Sequence, residues 1–162
     1  MQTIHVGMAQ MAIARSPDQL MTQALGSCVG VVLYDSRHKI GGMVHAMLPD
    51  VNDAKESSRG NLAKFVNTAV EELLNLMIKD GARKELIDAK LAGGSNMFPS
   101  ISKPGTLHVG RRNAEAAKKQ LEALKIRIIA EDTGGSVGRT IILDTTTGIL
   151  KVKTAAYGEK EI

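Results

Sequence analysis

Apolar and polar residues alternate along much of the chain, and a period of two is typical of strands. Ile4, Val6 and Met8 alternate and the phase slips before Met11, so we predict one strand over residues 3–14 that carries a bulge. Further strands are predicted at 20–25, 29–34, 40–45, 87–92, 126–130, 140–144 and 149–153. Short polar turns separate most of them, which predicts hairpins and largely antiparallel strands.

Two segments have helical spacing instead. In residues 61–80, Phe65, Ala69 and Leu73 recur on one face, and Gly81 is a typical helix stop. Residues 110–125 form the second predicted helix. Two helices against seven or eight strands predict an α+β fold with the helices on one side of the β layer.

We expect one domain over residues 1–154 and a frayed tail over 155–162. The polar segment 51–61 is expected to be a surface loop, either a lid or a solvated connector. A second loop is expected from Gly93-Gly94 up to residue 106. Its glycines favour close backbone packing beside the cysteine, with Met97 and Phe98 as an apolar wall, over phosphate binding, because no phosphate-binding fingerprint is present.

Composition narrows the classes of function. The chain has 162 residues, two Phe, two Tyr and no Trp, which disfavours base stacking on single-stranded nucleic acid. The net charge of +4 is spread along the chain, so a nucleic-acid arm is not indicated, although a positive field can steer an acidic partner. No apolar run is long enough for a membrane span and no signal core is present, so we expect a cytoplasmic protein.

Cys28 is the only cysteine, which excludes an intramolecular disulfide and a CxxC zinc site. Glu131 and Asp132 are adjacent on a predicted strand and point to opposite faces, so they make a weak metal site. We therefore expect neither a metal nor a cofactor.

The strands at 29–34 and 40–45 predict a hairpin that relates Cys28 to His45. If the loop is even and centred between Ser36 and Arg37, Cys28 lies directly opposite His45 on the same face of the sheet. An odd loop would place the two side chains on opposite faces. The prediction therefore depends on the length of the turn.

A thiol beside an imidazole is a nucleophile with its base. The turn Gly26-Ser27 before Cys28 can present backbone N–H groups to an oxyanion. The spacing alone is equally typical of a small buried cysteine and a structural histidine.

Five motifs occur in a fixed order along the chain. They are Leu25-Gly26-Ser27-Cys28-Val29, His45-Ala46-Met47-Leu48-Pro49, Gly93-Gly94-Ser95-Asn96-Met97-Phe98, Gly110 with Arg112-Asn113, and Ala130-Glu131-Asp132-Thr133-Gly134-Gly135 with Gly138-Arg139. No single motif is specific, but the ordered set resembles the CheD family of chemoreceptor glutamine deamidases.

The resemblance implies a three-layer α/β/β sandwich and an amide hydrolase that acts on methyl-accepting chemotaxis proteins. It implies that Cys28 is the nucleophile, that His45 is its base, and that Thr22, six residues before the cysteine, completes a triad. Without the resemblance, Thr22 is an ordinary β-branched strand residue. We further expect Arg139 or Arg112 to be available to a substrate carboxylate.

Two features leave alternatives open. The family usually has a Tyr-x-Asp pattern where this chain has Phe65-Val66-Asn67, so any role of that hydroxyl and that carboxylate is in doubt here. The resemblance also allows a regulatory partner of a CheC-type phosphatase in chemotaxis, and the thiol alone allows a peptidase or a general small-amide hydrolase. A receptor methylesterase activity is compatible with the same residues.

Overall fold

The computed structural model of the protein describes residues 1–99 and 108–162, so part of the loop expected up to residue 106 lies outside the described residues. The strands are β1 (Thr3–His5), β2 (Met11–Arg15), β3 (Gln19–Leu25), β4 (Val29–Asp35), β5 (Ile40–Ala46), β6 (Ile87–Gly93), β7 (Arg127–Thr133), β8 (Arg139–Asp144), β9 (Leu150–Thr154) and β10 (Gly158–Glu161). The two α-helices are α1 (Val66–Lys79) and α2 (Val109–Ala123).

The strands form two five-stranded sheets. The outer sheet has the order β1-β3-β8-β9-β10, and the central sheet has the order β2-β5-β4-β6-β7. Among the strands of residues 1–99 and 108–162, only the pairs β1/β3 and β6/β7 are parallel, and the other neighbouring strands are antiparallel. Both helices pack on the central sheet, α1 mainly on β5 and α2 on β4, β6 and β7. This arrangement is the predicted α+β fold with an α/β/β layer order.

Two apolar cores lie on either side of the central sheet. Val29, Val31 and Leu33 of β4 face the helices, where they meet residues of α1 such as Leu73. The alternate residues face the outer sheet, and this second core contains Cys28 and Ile141, among others. β4 is buried on both faces because it lies in the middle of the central sheet.

The N-terminal strand prediction is wrong, because residues 3–14 form two strands in different sheets. β1 pairs with β3 in the outer sheet, whereas β2 pairs with β5 in the central sheet. The chain turns between them near Ala9, whose φ of 57° lies in the left-handed region. The phase slip in the sequence therefore marks a crossing between layers rather than a bulge.

Helix α1 begins five residues later than predicted. Residue Phe65 is extended and forms a parallel bridge with Leu48, and the N–H groups of Met47 and Leu48 both donate to the Lys64 carbonyl. The residues just before α1 therefore hold the segment that leaves β5. Within the polar segment 51–61, residues Val51–Asp53 and Glu56–Ser58 form short 3-10 helices.

The frayed tail is also corrected for most of its length. Strand β10 pairs antiparallel with β9, and the backbone of Ile162 exchanges two hydrogen bonds with Leu150. Lys90 on β6 donates to the carbonyls of Gly148 and Ile162. The remaining strands lie close to their predicted positions. Neither of the helices described is long and apolar enough to cross a membrane.

Candidate active site

The β4–β5 hairpin places Cys28 and His45 on the same face, but not directly opposite each other. Gly30 pairs with His45, and the last pair in the ladder before the cysteine is Val29 with Ala46. Because side chains alternate along a strand, Cys28 shares the face of Gly30 and His45 and is their diagonal neighbour. The predicted shared face is confirmed, and the predicted direct opposition is wrong by two residues.

Asp35 explains this difference in register. Its carboxylate accepts hydrogen bonds from the backbone N–H groups of Arg37 and His38, both at 3.0 Å. His38 therefore belongs to a four-residue turn and cannot pair with Asp35, whose partner is Ile40. The loop is even, as the prediction required, but it is centred between Arg37 and His38 and not between Ser36 and Arg37.

Cys28 lies in a short segment, residues 26–28, that carries the chain from the outer sheet to the central sheet. On one side of this segment, Gly94 N–H donates to the Cys28 carbonyl at 2.9 Å, and Ser95 N–H donates to the Gly26 carbonyl at 2.9 Å. A Cβ atom on Gly93 would lie 2.4 Å from the Cys28 carbonyl oxygen, so the chain can approach this closely only at a glycine. The expected close packing of the two glycines beside the cysteine is confirmed.

Thr22 and His45 form a hydrogen-bonded pair across the two sheets. Thr22 comes from β3 of the outer sheet, and its Oγ1 lies 2.7 Å from His45 Nδ1. The same hydroxyl donates to the Val6 carbonyl at 2.6 Å. The backbone of His45 is fixed from the neighbouring turn, because its N–H donates to Gln10 and its carbonyl accepts from Ala9.

This network determines the tautomer of His45. The Val6 carbonyl can only accept, so it takes the single hydroxyl proton of Thr22. Thr22 must then accept a hydrogen bond from Nδ1–H of His45, which leaves Nε2 unprotonated. Nε2 is buried and has no hydrogen-bond partner among the described residues. The imidazole thus keeps a free acceptor on the face that it shares with Cys28.

Both groups are neutral at rest because both are buried. Burial raises the pKa of the Cys28 thiol, and this effect outweighs the residue's own backbone N–H, which favours the thiolate. Burial also lowers the pKa of His45. The exposed fraction is 8% for Cys28 and 1% for His45. The pair is therefore suited to proton transfer during attack rather than to a standing thiolate–imidazolium pair.

A cavity of about 310 Å³ opens beside the cysteine segment. It is lined by Ser27, by residues of the loop 95–98 and by the first residues of α2. Met97 and Phe98 form the expected apolar wall, and a Cβ atom on Gly26 would lie 3.1 Å from Met97. Within residues 1–99 and 108–162, no three His, Cys, Asp or Glu side chains are grouped to hold a metal ion.

Comparison with known proteins shows to which protein family the chain belongs. The family model described as "CheD chemotactic sensory transduction" matches residues 47–154. A protein of Geobacillus kaustophilus named "Probable chemoreceptor glutamine deamidase CheD" is 46% identical over 162 residues, which cover 99% of this chain and 98% of that one. The "Chemoreceptor glutamine deamidase CheD" of Bacillus subtilis is 46% identical over 159 residues, 98% of this chain and 95% of its own.

The chain belongs to the CheD family. The matched region of the family model begins two residues after His45, whereas the two relatives align over nearly the whole chain and so include the segment that carries Thr22, Cys28 and His45.

Arg139, which we expected to be available to a substrate carboxylate, is buried and braces the surrounding loops. Only 6% of it is exposed, and its Nε donates to Asp132 at 3.1 Å. Its terminal nitrogens donate to Ser95 Oγ at 2.7 Å and to the carbonyls of Gly134 and Gly93. The guanidinium holds together the two glycine loops of the CheD motifs and does not face a substrate.

Arg112 lies on the other side of α2 from this network. It forms an ion pair of 3.4 Å with Asp53, which belongs to the first 3-10 helix of the polar segment. Its side chain is 44% exposed. Arg112 thus joins that segment to α2, while its neighbour Asn113 points inward.

Asn113 was recognised in the sequence only as part of a motif, but its side chain lies beside the cysteine segment. It is fully buried, and its Nδ2 donates to the carbonyls of Ser27 at 2.9 Å and Met47 at 2.8 Å. A signal was present in the sequence, because Asn113 lies four residues before Ala117 and eight before Leu121, on the apolar stripe of the helix. A polar residue on such a stripe must have buried partners.

The departures of this chain from the usual CheD pattern are accommodated locally. Phe65 is 1% exposed, so a hydroxyl at its ring would be buried. Asn67 Oδ1 accepts from Val51 N–H, and Asn67 Nδ2 donates to Asp50, both at 3.0 Å. An amide fits this position because it both donates and accepts.

Proposed function

We propose that the protein is a chemoreceptor glutamine deamidase that hydrolyses glutamine side-chain amides of methyl-accepting chemotaxis proteins to glutamate. The observation that carries the proposal is the unprotonated Nε2 of His45, which has no hydrogen-bond partner among the described residues. Thr22 holds the ring in this tautomer, and the ring lies on the face of the sheet that His45 shares with Cys28. Membership of the CheD family, and the printed names of relatives at 46% identity, support chemoreceptors as the substrate.

The first half of the reaction forms a thioester. The Cys28 sulfur attacks the side-chain amide carbon of a glutamine, and its proton passes to Nε2 of His45. The carbonyl oxygen becomes an oxyanion. When the tetrahedral intermediate collapses, the C–N bond breaks, the imidazolium returns its proton to the nitrogen, and ammonia leaves.

The second half restores the enzyme. Water attacks the thioester carbon while His45 takes one of its protons, and the C–S bond then breaks. The sulfur regains the proton from His45, and the product is a glutamate side chain. The Thr22 hydroxyl accepts from Nδ1–H throughout and stabilises the imidazolium formed in each half.

We place the oxyanion at the backbone N–H groups of Ser27 and Cys28, in the turn that begins at Gly26. Neither N–H donates a hydrogen bond to another residue within the described part of the chain. The turn is rigid because Gly26 and Cys28 accept from the loop at 94–95. Donors that are fixed before the reaction stabilise developing charge without reorganisation.

The decisive experiment is the intact mass of a purified chemoreceptor cytoplasmic fragment after incubation with the protein. Each deamidation replaces –NH2 by –OH and adds about 1 Da. We expect this gain with the wild type and no gain with Cys28→Ala or His45→Ala. His5→Ala, which removes an exposed histidine of β1, is the matched control and should retain the gain.

Absence of any mass gain on a cognate receptor, with a folded protein and a reactive thiol, would contradict the proposal. Turnover of free glutamine or short peptides at a rate comparable to the receptor would instead favour a general amide hydrolase or peptidase.

Two extensions belong to the same proposal. The same residues would also cleave a receptor glutamyl methyl ester, because only the leaving group differs. Release of methanol from a methylated receptor fragment measures this activity.

Association with a CheC-type phosphatase and a cytoplasmic location stay predictions. Full phosphatase stimulation and normal chemotaxis with Cys28→Ala would make the regulatory role the main one.

A further inference from the structure

Cys28 lies just beyond the end of the β4–β5 ladder, whereas His45 lies within it. The last paired residues of β4 and β5 are Val29 and Ala46, and in the same register Cys28 would pair with Met47. The next hydrogen-bonded rung of the ladder would join Leu48 N–H to the Ser27 carbonyl, but Leu48 N–H donates to the Lys64 carbonyl instead, so the two chains part at this point. No backbone hydrogen bond between these two segments therefore fixes the position of Cys28 relative to the end of β5.

Asn113 bridges this gap from α2. One N–H of its side-chain amide donates to the Ser27 carbonyl and the other donates to the Met47 carbonyl. Ser27 precedes the cysteine directly, and Met47 lies two residues after His45. The amide thus replaces the missing rung of the ladder and ties the cysteine segment to the histidine strand.

Few side chains can make this bridge. One nitrogen atom lies within 3 Å of both carbonyl oxygens and donates a different hydrogen to each. A short primary amide supplies such a nitrogen, whereas a carboxylate or an alkyl group has no N–H to donate. The reversed orientation of the amide would place its oxygen against two carbonyl oxygens. The Asn113 oxygen has no hydrogen-bond partner among the described residues, so the residue acts here only as a donor.

We propose that Asn113 is a positioning residue that sets the approach of Cys28 to His45. This inference rests on the proposed function, since it assigns Asn113 a role in the reactivity of that pair. Asn113 acts through the two carbonyls and touches neither the substrate nor the transferred proton. Its loss should therefore lower kcat for receptor deamidation and leave the KM for the receptor within about twofold, the pattern of an interaction that acts in the transition state.

The test is a double-mutant cycle on thiol reactivity, which needs no receptor. The rate of Cys28 alkylation by iodoacetamide is measured for the folded wild type, Asn113→Ala, His45→Ala and the double variant. We expect Asn113→Ala to slow alkylation by about 10-fold to 100-fold, the order of loss that a misplacement of about 1 Å causes. In the His45→Ala background the same substitution should change the rate by less than about twofold, because coupled residues are not additive.

Two further variants separate positioning from folding. Asn113→Asp keeps the shape but replaces the double donor by an acceptor, so it should be as slow as Asn113→Ala. Asn113→Ser keeps one donor and should be intermediate. Asn75→Asp makes the same chemical change at an exposed position of α1 and should react like the wild type.

The outcomes are distinct. Equal effects of Asn113→Ala in the presence and absence of His45, or unfolding of all three Asn113 variants by circular dichroism, would overturn the positioning role. If His45→Ala itself leaves alkylation unchanged, the nucleophile–base pair fails, and the proposed function fails with it. If His45→Ala slows alkylation and Asn113→Ala does not, only the inference on Asn113 is wrong.

Discussion

The hydroxyl of Thr22 carries one proton, and the direction of that proton determines which nitrogen of His45 is free. Thr22→Val keeps the shape but removes the acceptor for Nδ1–H, so the ring can rotate and adopt the wrong tautomer. We expect kcat to fall by up to about 10⁴-fold, the loss that follows when a catalytic histidine is left in the wrong tautomer. Receptor mass spectrometry over time measures the rate.

The conservative change is the control for this prediction. Thr22→Ser keeps the hydroxyl and should retain most of the activity. Retained activity in Thr22→Val, with loss in Thr22→Ser, would show that the methyl packing, and not the hydrogen bond, is needed at this position.

Burial of His45 also sets the pH range of the reaction. The base must be neutral to accept the thiol proton, so activity is lost as pH falls through the pKa of His45. Because burial lowers that pKa, the acid limb of kcat/KM should have its midpoint below about 6.5, the ordinary value for histidine. A midpoint above 6.5 would contradict a buried, neutral base.

The pH profile of the thiol itself tests the other half of the pair. Burial raises the pKa of Cys28, so its thiolate forms only at a pH higher than the one at which an exposed cysteine ionises. Alkylation by iodoacetamide should accelerate continuously into the alkaline range without a plateau near neutrality. A plateau there would indicate a standing thiolate–imidazolium pair instead.

At the scale of single residues, the shared face of Cys28 and His45 was predictable from the sequence, whereas the individual contacts were not. Cys28 and His45 do share a face, because that depends only on an even loop. Their diagonal placement depends on Asp35, whose carboxylate accepts from two backbone N–H groups of the turn and shifts its centre by one residue. Arg139 could not be placed from the sequence, because nothing local shows that the loops after β6 and β7 would close around its guanidinium.

At the scale of elements, helix α2 is held against the loop after β6 by two glycines. A Cβ atom on Gly110 would lie 2.2 Å from the Ser95 carbonyl oxygen, and one on Gly94 would lie 2.7 Å from the Gly110 carbonyl oxygen. Gly110→Ala should therefore push α2 away from the loop. We expect a loss of about 1–3 kcal/mol in the free energy of unfolding, as for other overpacked contacts.

The same substitution should slow alkylation of Cys28, because α2 carries Asn113. Gly60→Ala is the matched control, since no atom lies within 4 Å of a Cβ atom built there. Urea unfolding and the alkylation rate measure the two effects. Unchanged stability in Gly110→Ala would show that the close approach of helix and loop is not needed.

The limits of the sequence prediction also differ between elements. Strands and helices with long apolar patterns were found close to their positions, whereas the start of α1 was not, because Phe65 continues the apolar stripe but is used for a bridge to Leu48. The pairing of β10 was missed because its side chains are polar and exposed, and only the backbone joins it to β9.

At the scale of the whole molecule, the two sheets each supply part of the site. Thr22 belongs to the outer sheet, His45 belongs to the central sheet, and Cys28 lies on the segment between them. Membership of either sheet could not be worked out from alternation, since both sheets have the same period of two. It depends on contacts between residues far apart in the chain, and only the family resemblance predicted the layers.

The packing between the sheets should therefore matter more for catalysis than the packing under the helices. Ile141 pairs with Thr22, and a Cβ atom on Gly30 would lie 2.7 Å from Ile141 Cδ1. Ile141→Val and Ile87→Val remove the same methylene group from the two cores, and each should cost about 0.5–1.5 kcal/mol of stability. Only Ile141→Val should also lower kcat, measured on the receptor fragment at a temperature where both are folded. Equal kcat values would show that the site tolerates movement between the sheets.

The hydrogen bond between Thr22 and His45 joins the two sheets, and this determines how the activity arises in time. A chain that has formed only the central sheet already has Cys28 and His45 on one face, but Thr22 fixes the tautomer of His45 only after the outer sheet has docked. In the proposed mechanism, partly folded chains therefore lack an oriented base, and full activity arises only at the end of folding. In a refolding experiment, the appearance of fast thiol alkylation would report the docking of the two sheets, after any signal from secondary structure alone.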